Sequence, residues 1–290
     1  MKSLLLGALA AAVACLALPA HAAPISILAA ENFYGEAARA IGGDRVAVES
    51  VIIAPDTDPH DFDPPPSVAR QTADAKIVVM NGANYDPWMA RLIGANTVDG
   101  RIVIDVAALS GHKDGDNPHV WYDPKAMPAM ANALTAELAR LDPAGKDGYS
   151  ARRDAYLATL TPITTRAAEL RQKFAGTPVV ATEPVFGYMA EALGLKMENQ
   201  SFQTAIMNET EPAAGDVAAM EDAIRKGTVK ALFYNSQVED AFTRNLAALA
   251  KSSGVPLVPV SETEPKGETF AQWMLDTLDA TAKALDHKTS

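Results

Sequence analysis

Short apolar runs alternate with helical patterns along both halves of the chain. The apolar runs have the length and the β-branched character of buried strands, and apolar residues recur at helical spacing between them. The predicted strands are residues 25–30, 46–53, 77–80, 102–106, 179–182, 231–234 and 257–260. The predicted helices between and after them are residues 36–41, 67–73, 127–141, 187–193, 215–226, 240–252 and 269–284. Alternation of this kind is typical of an α/β fold with mainly parallel sheets.

One long helical pattern, residues 148–174, lies between the two alternating halves and predicts a linker helix. Pro162 lies inside it, and we expect this proline to kink or interrupt the helix because it lacks an amide hydrogen and clashes with the preceding turn. A chain of this length usually forms two domains. The predicted division is a signal peptide at 1–22, an N-terminal βα lobe at 23–145, a linker helix region at 146–176 and a C-terminal βα lobe at 177–290.

The first 22 residues have the pattern of a secretory signal peptide. Lys2 precedes an apolar run over residues 4–18, and Ala20-His21-Ala22 supplies small residues at the cleavage positions. The run is too short for a permanent spanning helix, and no later stretch approaches the ~20 apolar residues that such a helix needs. We therefore expect a soluble, periplasmic protein.

Cys15, the one cysteine of the chain, lies inside that apolar run. The residues before it, Ala12-Val13-Ala14, lack the leucine usual in a lipoprotein signal, so we expect cleavage after Ala22 and no lipid anchor at Cys15. Cleavage there would leave no disulfide to support the fold and no thiolate to bind a metal. Metal ligands would then come from His, Asp and Glu side chains.

The charge balance is acidic, with 36 acidic against 25 basic residues and a net charge of −11. Such an excess disfavours nucleic acid and anionic membrane surfaces as partners, and it modestly attracts cations. Solubility alone accounts for most of these charges. Charge is therefore compatible with a cation-binding protein but does not identify one.

Two segments each place a histidine beside a proline and among carboxylates. They are Asp58-Pro59-His60-Asp61-Phe62-Asp63-Pro64 and Asn117-Pro118-His119-Val120-Trp121-Tyr122-Asp123-Pro124. Because proline restricts its own backbone and that of the residue before it, each Pro-His step presents an imidazole from a stiff loop, as a preorganised ligand requires. Imidazole is the commonest protein ligand for transition metals. The two segments together indicate two arms of one metal site.

Binding residues in parallel sheets collect in the loops beyond the carboxyl ends of the strands. Two candidates from each lobe follow predicted strands: His60, His119, Glu183 and Glu262. This distribution predicts a metal site in the cleft between the lobes.

The chain resembles the solute-binding proteins of ABC importers for zinc and manganese, the group called cluster A-I. The two Pro-His segments carry this resemblance, and residues 73–83, Glu183-Pro184-Val185-Phe186-Gly187-Tyr188 and Asn208-Glu209-Thr210-Glu211-Pro212 support it. Several motifs in one order specify a family better than any single motif. The resemblance covers essentially the whole chain after the predicted signal peptide.

This resemblance implies two lobes joined by a long, rather rigid helix, with a divalent metal bound between them and delivered to a membrane permease. It implies a monomeric binding protein rather than an enzyme. His60 and His119 match two family ligands, and Glu183 lies where zinc-type relatives usually have histidine and manganese-type relatives have glutamate. Glu262 falls approximately where many relatives have aspartate, although a slight shift of the alignment would bring Glu264 or Ser261 there. The usual His-rich loop is missing, with only His112, Asp114 and Asp116 in that stretch.

The ligand set leaves the metal open. Two imidazoles with two carboxylates suit Zn2+, Mn2+ or Fe2+, and the Irving-Williams order predicts that Zn2+ binds the same ligands more tightly than Mn2+. A carboxylate that binds through both oxygens would raise the coordination number toward that of Mn2+. Binding through one oxygen would leave the four-coordinate arrangement that Zn2+ prefers.

Other hypotheses assign these residues differently. Glu183 also suits the N-terminus of a following helix, and Glu262 suits an exposed loop. A secreted zinc-dependent hydrolase would use three of the ligands, an open water position and Glu262 as general base. The chain has no His-Glu-x-x-His or Gly-x-Ser-x-Gly motif to support it. A siderophore or other metal chelate would need a roomy apolar or basic cleft, which the Pro-His segments do not favour.

Overall fold

The computed structural model describes residues 23–54, 57, 62–235, 237 and 241–287. The predicted signal peptide, with Cys15 and the cleavage position after Ala22, lies outside these residues, and so does His60. Within the described ranges, the chain forms eleven α-helices and eight strands. None of the helices in this part of the chain is both long enough and apolar enough to cross a membrane.

The N-terminal lobe is a parallel sheet with helices packed on it. In chain order its elements are β1 (Ile25–Glu31), α1 (Asn32–Gly42), β2 (Val46–Ile52), α2 (Pro66–Asp74), β3 (Ile77–Met80), α3 (Pro87–Ala95), β4 (Ile102–Asp105), α4 (Val106–Ser110) and α5 (Ala126–Leu141). The strand order is β2-β1-β3-β4, and every neighbouring pair is parallel. Short 3-10 helices lie at Gly43–Arg45 and Val120–Tyr122.

The linker helix α6 (Lys146–Phe174) follows, and the C-terminal lobe repeats the topology of the first. Its elements are β5 (Pro178–Ala181), α7 (Gly187–Ala192), β6 (Lys196–Met197), α8 (Gln200–Met207), α9 (Ala214–Arg225), β7 (Leu232–Asn235), α10 (Ala241–Ser252), β8 (Leu257–Val260) and α11 (Phe270–Leu285). The strand order is β6-β5-β7-β8, again all parallel. The predicted α/β architecture of two parallel-sheet lobes joined by a long helix is confirmed.

Helix α6 contains 29 residues and continues through Pro162, so of the two expected effects, a kink or an interruption, the structure shows no interruption. Its buried side chains recur at alternating spacings of three and four residues, which gives one apolar stripe against the two lobes. Pro162 lies on the opposite, exposed side. Ala158, whose carbonyl loses its helical partner because proline has no amide hydrogen, is exposed as well, so water can satisfy that carbonyl.

A few elements were mispredicted because their signals are local. The strand expected to reach residue 106 ends at Asp105, whose Oδ1 accepts a hydrogen bond of 2.9 Å from the Ala108 amide and thereby caps α4. Helices α3, α4 and α8 and the two-residue strand β6 were not predicted. These elements are short, so their apolar periodicity is weak.

Aromatic rings from both lobes pack against each other beside α6. Phe33 lies 6.2 Å from Phe270 and 5.8 Å from Trp273, measured between ring centroids. Tyr122 lies 5.5 Å from Phe186 and 5.8 Å from Trp273. These rings belong to one buried apolar cluster that includes residues of both lobes and of the linker. The two lobes therefore share a core, although the exact domain boundaries stay a prediction.

Replacing Pro162 with alanine should stabilise the protein. Alanine restores the hydrogen bond to the Ala158 carbonyl, and proline is about 3 kcal/mol less favourable than alanine inside a helix. The less restricted unfolded chain offsets about 1 kcal/mol of this gain. We expect Pro162→Ala to raise the free energy of unfolding by about 2 kcal/mol in urea titrations.

A matched control is Thr164→Ala, since Thr164 is also exposed on α6 and its substitution removes only an exposed hydroxyl that bonds the Thr161 carbonyl oxygen at 2.9 Å. It should change stability by a few tenths of a kcal/mol. A Pro162→Ala variant no more stable than this control would contradict the explanation.

Candidate metal centre

Loops beyond the carboxyl ends of strands from both sheets meet at one buried place. The Tyr85 hydroxyl, in the loop after β3, donates a hydrogen bond of 3.1 Å to Glu262 Oε2, in the loop after β8. His119 Nε2, in the connection after β4, lies 3.5 Å from the same oxygen. The His119 and Glu262 side chains are 0% and 1% exposed. Two of the predicted site residues, one from each lobe, are thus adjacent.

Asn117 determines which nitrogen of His119 carries the proton. The Asn117 amide nitrogen donates to the Pro184 carbonyl oxygen at 2.7 Å, and its Oδ1 accepts the His119 backbone amide at 3.1 Å. Asn117 Oδ1 is therefore an acceptor, and it lies 2.7 Å from His119 Nδ1. A neutral His119 consequently carries its proton on Nδ1, which leaves the lone pair of Nε2 directed at Glu262. This is the tautomer that a metal-binding imidazole needs.

Close packing keeps Asn117 in place. A methyl group added at Gly187 would lie 2.6 Å from the Asn117 amide nitrogen, so only glycine leaves room for it. The Tyr188 hydroxyl donates a hydrogen bond of 2.7 Å to the Asn117 carbonyl oxygen. The start of α7 in the C-terminal lobe therefore holds the loop that carries His119.

The Glu262 carboxylate is held by hydrogen bonds at both oxygens. Oε2 accepts from Tyr85, and Oε1 accepts from Asn235 Nδ2 at 2.7 Å. The backbone amide of Glu262 donates to Gln237 Oε1 at 2.5 Å. Because Glu262 is buried, the alternative hypothesis that it is an exposed loop acid is wrong.

The neighbours that a shifted alignment would select lie elsewhere. Glu264 forms a carboxyl pair with Glu36 of α1, and burial, together with the hydrogen bond and charge of Glu36, raises the pKa of Glu264 to about 9. Ser261 uses its hydroxyl on the Thr263 carbonyl oxygen, at 3.2 Å. Of these three side chains, the one beside His119 belongs to Glu262.

Glu183 reaches the same region from the end of β5. Its side chain is buried, and its Oε2 accepts a hydrogen bond of 2.5 Å from Asn235 Nδ2. Glu183 precedes a short 3-10 helix, Pro184–Phe186, but its side chain makes no capping hydrogen bond there. The structure therefore does not show Glu183 capping the following helix through a hydrogen bond, which was its alternative role.

Sequence reasoning missed the polar residues that organise these carboxylates. Asn235, the last residue of β7, donates to both Glu183 and Glu262. Tyr85, Asn117 and Gln237 complete the set. Each of the four lies beyond or at the carboxyl end of a strand, so the rule that located the glutamates could also have identified them.

The described residues give only part of the predicted ligand set. In this part of the chain no group of three or more His, Cys, Asp or Glu side chains is compact enough to hold a metal ion. His119 and Glu262 form an adjacent pair, and Glu183 is joined to Glu262 through Asn235. Because His60 lies outside the described residues, the four-residue site stays a prediction.

Two more acids are buried at the carboxyl end of the N-terminal sheet. Burial raises the pKa of Asp86 to about 7, although its carboxylate accepts backbone hydrogen bonds from Asn81 and Gly82. Glu31, at the end of β1, is fully buried and finds no hydrogen-bond partner among the described residues. Burial and the charge of Asp86 raise the pKa of Glu31 well above its ordinary value. Protonation therefore limits the negative charge buried here.

Comparison with known proteins identifies the family. The family model described as zinc-uptake complex component A periplasmic, ZnuA, matches residues 27–284. The chain belongs to the ZnuA family.

Curated relatives also include metal-binding proteins of ABC transporters. The manganese-binding lipoprotein MntA of Halalkalibacterium halodurans is 25% identical over 284 residues, which cover 90% of this chain and 88% of that relative. The metal ABC transporter substrate-binding lipoprotein FimA of Streptococcus parasanguinis is 24% identical over 285 residues, with 90% and 89% covered.

Solved structures show the same fold. The periplasmic zinc-binding protein TroA from Treponema pallidum superposes with a TM-score of 0.77 at 20% identity, covering 91% of this chain and 100% of that one. The structure of FpvC from Pseudomonas aeruginosa in complex with Mn2+ superposes with a TM-score of 0.74 at 21% identity, covering 90% and 98%. The resemblance to metal-importer binding proteins noted in the sequence is thus confirmed, and it extends to the ZnuA-family fold.

Asp86 should make the metal-free protein less stable as the pH rises from about 4 to about 7. The carboxyl has an ordinary pKa of 3.8 and a folded pKa of about 7. Between these values the unfolded chain binds fewer protons than the folded one, so the free energy of unfolding falls, by up to about 1.4 kcal/mol per pH unit. Below the ordinary pKa of 3.8 the Asp86 carboxyl is protonated in the folded and the unfolded chain, and its stabilisation of the fold is fully present. Above the folded pKa of about 7 the carboxyl is ionised in both states, and its effect on the unfolding free energy no longer changes with pH.

Urea unfolding of the parent and of Asp86→Asn at several pH values from 5 to 7 measures this slope. The variant should lose stability less steeply than the parent, whatever its absolute stability. Equal slopes in the two proteins would contradict a neutral buried Asp86.

Proposed function

We propose that this chain is the substrate-binding component of an ABC importer. It captures a divalent transition metal, Zn2+ or Mn2+, between its two lobes and delivers the ion to a membrane permease. Membership of the ZnuA family and the functions for which the relatives MntA and FimA are named support this proposal. The observation that carries it is the pairing of His119 with Glu262.

The separation of these two side chains suits a shared metal ion. A metal about 2.1 Å from both a nitrogen and an oxygen ligand, at a tetrahedral angle, separates the two ligand atoms by about 3.4 Å. The observed distance between His119 Nε2 and Glu262 Oε2 is 3.5 Å. With the proton on Nδ1, both facing atoms carry lone pairs, so a cation between them replaces a repulsive contact with two bonds.

The proposed ligands are His60, His119, Glu183 and Glu262. Asn117 orients His119, and Asn235 and Tyr85 hold the Glu262 carboxylate. His60 is included in the proposed ligand set because of its place in the sequence. Like Glu183, it comes after a strand, which is β2 for His60 and β5 for Glu183.

Burial favours a bare ion over the competing ligands. The His119 and Glu262 side chains are almost wholly enclosed, so the part of the chain that the structure describes offers no broad surface around them for a siderophore or other chelate. A zinc-dependent hydrolase needs an open water position for its substrate. The observed enclosure supports a binding protein that catalyses no reaction.

The cellular metal is proposed as Zn2+ or Mn2+, with Fe2+ as a further candidate. The relatives named above include a manganese-binding lipoprotein and a zinc-binding protein. Imidazole and carboxylate ligands together accept all three ions, and Zn2+ forms the tighter complex with a given set. We propose that the protein acts as a monomer and has no nucleic-acid partner.

Removing the two histidines should abolish tight binding. We expect His60→Ala with His119→Ala to weaken Zn2+ and Mn2+ binding by more than about 100-fold in calorimetry, because loss of a ligand costs more than the 10–100-fold typical of an outer-shell residue. The parent should gain about 2.7 kcal/mol of unfolding free energy at a metal concentration of a hundred times the dissociation constant, and the variant should not.

The matched control is His112→Ala with His287→Ala, which removes two histidines outside the proposed site. His112 pairs with Asp123 at 3.0 Å, and His287 is exposed near the end of α11. Parent-like affinity in the control is expected. Parent-like affinity in the His60 and His119 variant would show that the proposed ligands are wrong.

We propose export to the periplasm with cleavage after Ala22. The relatives MntA and FimA are named lipoproteins, so the competing product is a chain lipidated at Cys15. Both positions lie outside the described residues.

The intact mass of the mature protein distinguishes these products. Cleavage after Ala22 gives an unmodified chain that begins at Ala23, whereas a lipoprotein begins at Cys15 with added acyl mass. We expect the first product in the soluble periplasmic fraction. The acylated mass in the membrane fraction would refute it.

A further inference from the structure

Asn235 joins the two buried glutamates through a single nitrogen. Its Nδ2 lies 2.5 Å from Glu183 Oε2 and 2.7 Å from Glu262 Oε1. An amide nitrogen has two hydrogens, so each carboxylate receives one of them. The Asn235 side chain is itself buried, at 1% exposure, which makes these bonds costly to leave unmade.

The orientation of this amide is determined by its other contacts. Asn235 Oδ1 accepts a hydrogen bond of 3.1 Å from the Gln237 backbone amide, so Oδ1 and Nδ2 cannot exchange places. The backbone amide of Asn235 donates to Thr182 Oγ1 at 3.1 Å. Asn235 is therefore anchored to the residue that follows β5 and to the loop after β7.

Asn235 and His119 approach different oxygens of the Glu262 carboxylate. Oε1 accepts from Asn235, whereas Oε2, which accepts from the Tyr85 hydroxyl at 3.1 Å, faces His119 Nε2, where the proposed function places the ion. Glu183 likewise directs Oε2 at Asn235. In Glu262 the oxygen that Asn235 does not hold is thus the one that faces His119, and each glutamate has one oxygen engaged by the Asn235 amide.

The number of carboxylate oxygens at a metal affects which ion is preferred. Four single-atom ligands give the tetrahedral arrangement that Zn2+ adopts in proteins. Mn2+ favours more oxygen ligands, which a carboxylate supplies when both of its oxygens bind. A hydrogen-bond donor that restrains one oxygen of each glutamate therefore opposes the change that Mn2+ would require.

We propose that Asn235 is a positioning residue that sets metal preference: its amide restricts Glu183 and Glu262 to binding through one oxygen each and thereby favours Zn2+ over Mn2+. This inference rests on the proposed function. Asn235 itself does not touch the ion and acts through the two carboxylates.

The test compares the parent with Asn235→Ala and Asn235→Asp. Dissociation constants for Zn2+ and Mn2+ are measured by competition with chelators, and the visible absorption of bound Co2+ reports the coordination number, since four-coordinate Co2+ absorbs far more strongly than five- or six-coordinate Co2+. We expect Asn235→Ala to weaken Zn2+ binding about 10–100-fold. Mn2+ binding should stay close to that of the parent, so that the Mn2+/Zn2+ ratio of dissociation constants falls about 10–100-fold, and the Co2+ absorption should weaken.

Asn235→Asp gives a second, nearly isosteric test in case the alanine variant is poorly folded. Aspartate can still accept the Gln237 hydrogen bond, but it presents an acceptor to the two glutamates in place of the donor. The same fall in the ratio and the same loss of Co2+ absorption are expected. The control is Asn96→Ala, which removes an amide hydrogen bond to the Leu92 carbonyl within the N-terminal lobe and should leave both readouts unchanged.

The outcomes separate this inference from the function on which it rests. If the parent binds metal and both Asn235 variants keep its affinity ratio and its Co2+ spectrum, the inference is wrong and the proposed function stands. Equal weakening of Zn2+ and Mn2+ in both variants would also overturn it, because Asn235 would then support the site without selecting the ion. If the parent binds neither ion, the proposed function itself fails.

Discussion

Buried negative charge is the constraint around which the region between the lobes is arranged. Glu183 and Glu262 lie close to one amide nitrogen, away from water, next to an imidazole that presents a lone pair. Isolated carboxylates in such surroundings are strongly unfavourable. Hydrogen bonds from Asn235 and Tyr85 offset part of this cost. Because the rest of the negative charge is not compensated by these bonds, it favours the binding of a cation. At the end of the N-terminal sheet the same problem has a different solution, because burial there favours protonation of Glu31 and Asp86.

The repeated topology explains why these groups converge. Each sheet has its first strand beside its third, with the second strand at one edge and the fourth at the other. The loops after the central strands therefore open at the same end of each lobe. Asn81 follows β3 as Asn235 ends β7, and both are buried amides that organise neighbouring groups. In the N-terminal lobe Asn81 donates to the Pro118 carbonyl beside His119, whereas in the C-terminal lobe Asn235 acts on carboxylates.

The sequence predicted the parts of this arrangement that depend on repeated or position-specific signals. Strands β3 and β8 were predicted with their observed bounds because each is a continuous apolar run. His119, Glu183 and Glu262 were selected by their places after strands. Asn235 was missed because an asparagine at a strand end is also an ordinary turn residue, and only the fold shows which side chains it meets. For a related reason the sequence could not show whether Pro162 would interrupt α6, since its tolerance depends on which face of the helix is exposed.

The shared aromatic core limits how the two lobes can move. Phe33 and Tyr122 pack on Phe270, Trp273 and Phe186 across the lobe boundary, so a wide rotation about α6 would expose these rings to water. Exposing two buried aromatic side chains costs roughly 4 kcal/mol, which lowers the population of the rotated state about a thousandfold. An ion at the proposed site would therefore exchange with solvent through small displacements of the surrounding loops. A docked partner that covers the exposed rings would be needed for anything larger.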